Sequence, residues 1–149
     1  MNLKLESQDG FLLVAKIGGN LSFGEALKIG KSVCDAAAEK GYRDVLADCL
    51  ALKGKLSVAD MYELGKSMAE HCLKKSMALR VAMIGQAPTI TGFGAQVARN
   101  RGLSVRTFTD RQAGLDWLNQ FRPKPPRRGT SSGVHVRVQF RPKLARDEP

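Results

Sequence analysis

Asp44-Val-Leu-Ala-Asp-Cys49 constrains this chain most: a short, largely apolar run set between two segments whose apolar residues recur every three or four positions. So short an apolar run reads as a strand covered on both faces, and the flanking helical patterns supply the cover. Asp48 closes the run, and Leu50 to Ser57 is read as a basic loop opening the next helix.

The remaining elements can be laid beside that strand. Leu3 to Gln8 alternates at period two, Asp9-Gly10 follows, and Phe11 to Ile17 is again strand-like. Asp-Gly between two such runs predicts a hairpin, because a type I′ turn needs positive φ twice. Gly18-Gly19 is read as the end of the second strand. Ser22 and Glu25 are spaced as a capping box. Phe23, Ala26, Leu27, Gly30, Val33, Cys34 and Ala37 form one helical stripe, which Gly41 stops.

Ser57 is an N-cap for a second helix with the stripe Val58, Met61, Tyr62, Gly65, Met68, Ala69, Cys72 and Leu73. Leu79 to Ile84 is a third buried strand, Gly85 to Pro88 a loop, and Thr91 the cap of a short helix ending near Gly102. Ser104 to Phe108 reads as an edge strand. Asp110 caps a last helix carrying Ala113, Gly114, Trp117, Leu118 and Phe121. The order ββαβαβαβα predicts an α/β fold, a mostly parallel sheet with an N-terminal antiparallel hairpin and helices packed over it.

Composition changes at Arg122. Five of the six prolines lie beyond it, and residues 122–149 hold eight Arg or Lys against Asp147 and Glu148. That leaves +6 of the net +10 charge in the tail. Such a segment cannot bury enough apolar surface to offset its ordering entropy, so residues 1–121 are read as the domain and 122–149 as a disordered basic, Pro-rich tail. Within it, Val134 to Phe140 alternates as a strand that could add to a sheet edge.

No run approaches the ~18 apolar residues of a membrane span, and Met1-Asn-Leu-Lys-Leu-Glu lacks the order of a signal peptide. The expected location is the cytoplasm. Cys34, Cys49 and Cys72 contain no Cys-x-x-Cys pair, so they read as small buried hydrophobes and no metal or cofactor is expected. Gly24 to Ser32 has one residue too many between its glycines for a phosphate loop, and Gly65-Lys66-Ser67 lacks the first glycine. Gly92-Phe93-Gly94 opens a helix, but Val97 stands at the third glycine position of a dinucleotide fingerprint. His71 and His135 have no Ser, Cys or Asp that sequence alone can pair with them, and both read as solvated.

In open α/β sheets, ligands and partners use the crevice beyond the carboxyl ends of the parallel strands. Here that rim would hold Asp48, Lys53, Lys55 and Ser57 with Thr89 and Thr91. Asp48 has two readings, a binding group or a brace for loop N–H groups.

The hairpin, the Asp44–Asp48 strand leading into Leu52-Lys-Gly-Lys-Leu-Ser57, and Val105-Arg-Thr-Phe-Thr-Asp with Gly114-Leu-Asp-Trp-Leu118 together resemble the STAS superfamily. The likeness is to its small SpoIIAA-like branch, over about residues 1–121. This resemblance implies a non-enzymatic regulatory domain that docks a protein partner, in some members through a phosphorylated Ser or Thr after the central strand. Cys49, Leu50, Ala51 and Leu52 stand where that hydroxyl would be.

The expected function is partner or small-ligand docking at the rim. One alternative is salt-dependent, nonspecific nucleic-acid binding through tail residues such as Arg127, Arg128, Arg137 and Arg141. Another follows from the outline STAS folds share with lipid-binding SEC14 domains: an apolar-ligand carrier, which would need an internal cavity. A homodimer is left open.

Overall fold

The computed structural model describes residues 1–75 and 78–122; residues 123–149, with the predicted strand of the tail, lie outside the described residues. The elements are β1 (Asn2–Gln8), β2 (Leu12–Asn20), α1 (Phe23–Lys40), β3 (Asp44–Lys53), α2 (Val58–Lys74), β4 (Arg80–Ile84), α3 (Phe93–Asn100), β5 (Ser104–Phe108) and α4 (Arg111–Asn119). They form one sheet in the order β1-β2-β3-β4-β5, with β1 antiparallel to β2 and the other pairs parallel. The expected fold class and element order are those observed.

Asp9 and Gly10 have φ of 55° and 75°, and the Phe11 N–H donates to the Gln8 carbonyl at 3.3 Å, closing the predicted hairpin turn. From β2 onward the chain steps one strand at a time across the sheet. Successive right-handed crossovers in one direction put their helices on one face. Accordingly Val33, Cys34 and Ala37 of α1, Ala69 and Cys72 of α2, and Ala95 and Ala98 of α3 share one cluster with Leu13, Ala15, Val45 and Val105. α4 follows the last strand and covers the opposite face, where Trp117 and Leu118 pack on Leu12, Val14, Leu46, Ala82 and Ile84.

The two faces are packed differently. Gly114 lets α4 sit so close to the sheet that a Cβ there would lie 2.6 Å from Ile84 Cδ1. On the other face most buried helix positions are small (Cys34, Ala37, Gly65, Ala69, Cys72, Ala95, Ala98, beside Val33 and Val97), and glycines serve helix–helix approach instead. Gly30 lies against Met68, and Gly65 against Gly94. Small side chains that join helices laterally leave space beneath them, a departure from close packing.

Four local expectations are corrected. Gly18-Gly19 does not end β2; the strand runs to Asn20, with Gly18 paired to Ala51. Likewise β3 does not stop at Cys49 but extends to Lys53, so β2 and β3 project past β4 as a two-stranded ribbon. The capping box does not form: Glu25 Oε1 accepts the Met1 ammonium at 2.9 Å, and Ser22 makes no side-chain cap bond to the backbone. A charge-assisted bond outcompetes a neutral N–H for that carboxylate. Finally, Gly92 (φ 89°) is the N-cap of α3, while Thr91 Oγ1 accepts the Phe93 N–H at 3.3 Å.

By contrast Ser57 and Asp110 cap as expected, accepting from the N–H of Asp60 at 3.0 Å and of Ala113 at 2.9 Å. The α2 stripe is narrower than its periodicity implies, since Val58, Tyr62 and Leu73 are exposed.

Candidate functional site

The ribbon is where the rim takes its shape. Lys16 pairs with Asp48 and Gly18 with Ala51, so β3 carries one extra residue there. A bulge interrupts the ladder and re-aims the side chains that follow it. Ala47 and Cys49 face the α1–α3 side, and after the bulge so does Leu52. The Leu50 N–H donates to Asp48 Oδ1 at 3.1 Å, and Arg111 Nη1 stands 3.8 Å from Asp48 Oδ2. Asp48 therefore braces its own loop on the α4 side, where Arg111 also donates to Gln8 at 3.1 Å.

On the other side lies a cavity of about 190 Å³ between the sheet and α1–α3, partly open at the carboxyl end of the strands. Its inner wall includes Val45, Ala47, Val81 and Val105 of the sheet, with Ile29, Val33, Leu64, Met68 and Ala95 of the helices. Met1, Leu21, Leu52, Leu56, Met61 and Ile90 ring its mouth, where Thr89 and Thr91 bring the hydroxyls. Cys34, Cys49 and Cys72 all line it, and all three are buried. Burial, with Asp48 next in the chain, pushes the Cys49 thiol up to about 12, so it is no nucleophile at neutral pH.

The structure thus divides the expected site residues. Thr89 and Thr91 belong to the mouth. Lys53 and Lys55 are exposed and alternate with Leu52 and Leu56, which do line it. Ser57 is engaged as the α2 cap. Asp48 is on the opposite face, joined to Arg111 instead of the mouth.

Two features escaped the sequence. His71 is not simply solvated: its Nε2 lies 2.7 Å from Asp35 Oδ1 across the α1–α2 contact, with Lys75 Nζ 3.4 Å from the same oxygen. The cavity is the other. Its signal was present as small residues on the helix stripes, but glycine and alanine mark close approach as readily as empty space.

Among the described residues no three His, Cys, Asp or Glu side chains come together as a metal cradle, and no helix is long and apolar enough to cross a membrane. What these residues form is an α/β domain with an apolar chamber and a basic rim.

No family model matches the chain, and no curated protein matches it. Among solved structures it is similar to the anti-sigma factor antagonist SpoIIAA in its unphosphorylated form, at 14% identity over 82% of this chain and 100% of that one, with a TM-score of 0.49. It is similar to an uncharacterised DUF3478-family protein with a SpoIIAA-like fold from Shewanella loihica PV-4, at 27% identity over 78% and 92%, TM-score 0.48. The phosphorylated form of the Bacillus cell fate determinant SpoIIAA is similar at 15% identity over 78% and 99%, TM-score 0.44. These likenesses concern the outline of the fold.

Proposed function

We propose that this chain is a non-enzymatic binding domain that takes a small apolar ligand into the chamber beneath α1–α3, through the mouth between Leu52–Leu56 and Thr89–Thr91. The cavity carries this reading. Apolar cavities of this order stay dry and accept apolar guests. A guest seated in these roughly 190 Å³ gains the dispersion contacts that the lining atoms otherwise lack.

The rim suggests the polar end of that guest. Lys53 and Lys55 are exposed next in the chain to the mouth residues Leu52 and Leu56, and the N-termini of α2 and α3 add partial positive charge at the same end of the sheet. A short hydrocarbon chain ending in a carboxylate satisfies both chamber and rim.

The test is titration of the purified chain with an environment-sensitive fluorescent fatty acid, repeated on Ala47→Leu and Ala95→Leu, which grow side chains into the chamber. Saturable binding displaced by decanoate, and lost in the filled variants while they stay folded, supports the reading. Equal binding to wild-type and filled variants overturns it.

One observation favours a second reading, docking of a protein partner at the same rim. Leu50 and Val58 are 50% and 66% exposed, large apolar side chains beside Lys53 and Lys55. In this second reading the two side chains are the apolar contacts that a partner covers. Reversing Lys53 and Lys55 to Glu, with Leu50→Ser, then abolishes capture of that partner; undiminished capture counts against it.

A further inference from the structure

α1 and α2 cross where α1 carries no side chain at Gly30. Gly30 packs on Met68, so closely that a Cβ at residue 30 would lie 2.6 Å from Met68 Sδ. One turn further along each of these parallel helices stand Cys34 and Cys72, both 1% exposed and both facing the chamber. Both belong to one buried cluster at this crossing. Immediately beside them Asp35 and His71 are joined at 2.7 Å, with Lys75 3.4 Å from Asp35, so the crossing is fixed in register on both sides of the thiol pair.

We infer that Cys34 and Cys72 form a reversible intramolecular disulfide on exposure to a hydroperoxide, joining α1 to α2 along the wall of the apolar chamber. Held between the Gly30–Met68 contact and the Asp35–His71 bond, both residues line the one chamber, which gives a small oxidant its route in by the mouth. The thiolate is the attacking species; with Cys34 reacting first, Cys72 resolves the product.

Cys34 thiolate attacks one peroxide oxygen, the O–O bond breaks, and the leaving alkoxide or hydroxide takes the proton that Cys34 gave up. Cys34 is then a sulfenic acid. Cys72 attacks its sulfur, the S–S bond forms, and hydroxide leaves with the Cys72 proton as water. The two sulfurs lose two electrons in all, and the peroxide gains them. A dithiol restores the pair by exchange.

Cys49 provides the internal comparison, because it lines the same chamber from β3 and not from the α1–α2 crossing. The full-length chain is treated with hydrogen peroxide under native conditions, unfolded with an alkylating reagent present, and its free thiols counted. The inference requires the three thiols to fall to one, a cross-linked peptide joining residues 34 and 72 after non-reducing digestion, and recovery of all three with dithiothreitol. Cys49→Ala must fall from two thiols to none, and Cys34→Ala must form no cross-link. Three thiols surviving, a bridge that includes Cys49, or sulfinic acid at Cys34 without a cross-link each overturn it.

Discussion

Gly65 of α2 lies directly on the backbone carbonyl of Gly94 in α3, with no room for a side chain between them. This contact sets the spacing of the helices that roof the chamber. Gly65→Ala gains roughly 1 kcal/mol of helix propensity, but its methyl meets backbone that cannot swing aside. Overpacking of that kind costs about 1–3 kcal/mol, so the net expectation is a loss of up to about 2 kcal/mol in urea unfolding. At Gly24, where a Cβ would meet nothing within 4 Å, the same change should be neutral or slightly stabilising.

Asp44 is buried at the start of β3, and Arg80 of β4 donates from Nε to its Oδ1 at 2.9 Å. The Arg80 guanidinium also stands 4.8 Å from the Phe121 ring centroid. Removing one partner strands a buried charge, so Arg80→Met should cost about 3 kcal/mol or more. Asp44→Asn with Arg80→Met should recover most of that. A double variant as unstable as the single one would show that the cost is lost packing on Phe121.

Glu6 is held below its ordinary 4.5 first by the Lys4 hydrogen bond and then by Lys16. Asp35 is held below its ordinary 3.8 first by His71. Both carboxyls are depressed in the folded state, so the unfolded chain binds more protons and stability rises with pH through this range. Their contribution is complete above the ordinary values and is lost as pH falls through the depressed ones. The urea midpoint should therefore drop between roughly pH 5 and pH 3. Glu6→Gln with Asp35→Asn should flatten that slope, as should high salt, since both groups are exposed.

Lys53→Glu with Lys55→Glu should leave thermal unfolding unchanged, because both side chains are exposed and neither takes part in an ion pair among the described residues. Under the proposed ligand reading, calorimetric affinity for decanoate should fall by about fivefold, in keeping with ~1 kcal/mol for exposed charges. Affinity for a neutral alcohol of the same length should hold.

Much of this architecture was legible because the signals are local. Asp9-Gly10 specified its turn through two positive φ values, Gly41 its left-handed cap, and Ser57 and Asp110 their caps, each through its own few backbone bonds. The ββαβαβαβα order followed from periodicity alone. Competition among partners was not legible: Glu25 sits at capping-box spacing, yet the Met1 ammonium takes its carboxylate.

The candidate site divides along the same line. That the rim would carry Lys53, Lys55, Thr89 and Thr91 follows from the chain order of strands and loops. Which of them reach a common space depended on a single extra residue in β3, which turned Leu52 toward the helices after Asp48 had faced α4. The chamber itself was decided by tertiary structure. Gly30, Gly65, Ala69 and Ala95 were plain in the sequence, but small residues state only how near two elements are able to come. Whether the sheet follows the helices in, as it does under Gly114, or stands off and leaves room, as it does under α1–α3, is settled by the packing of all the layers at once.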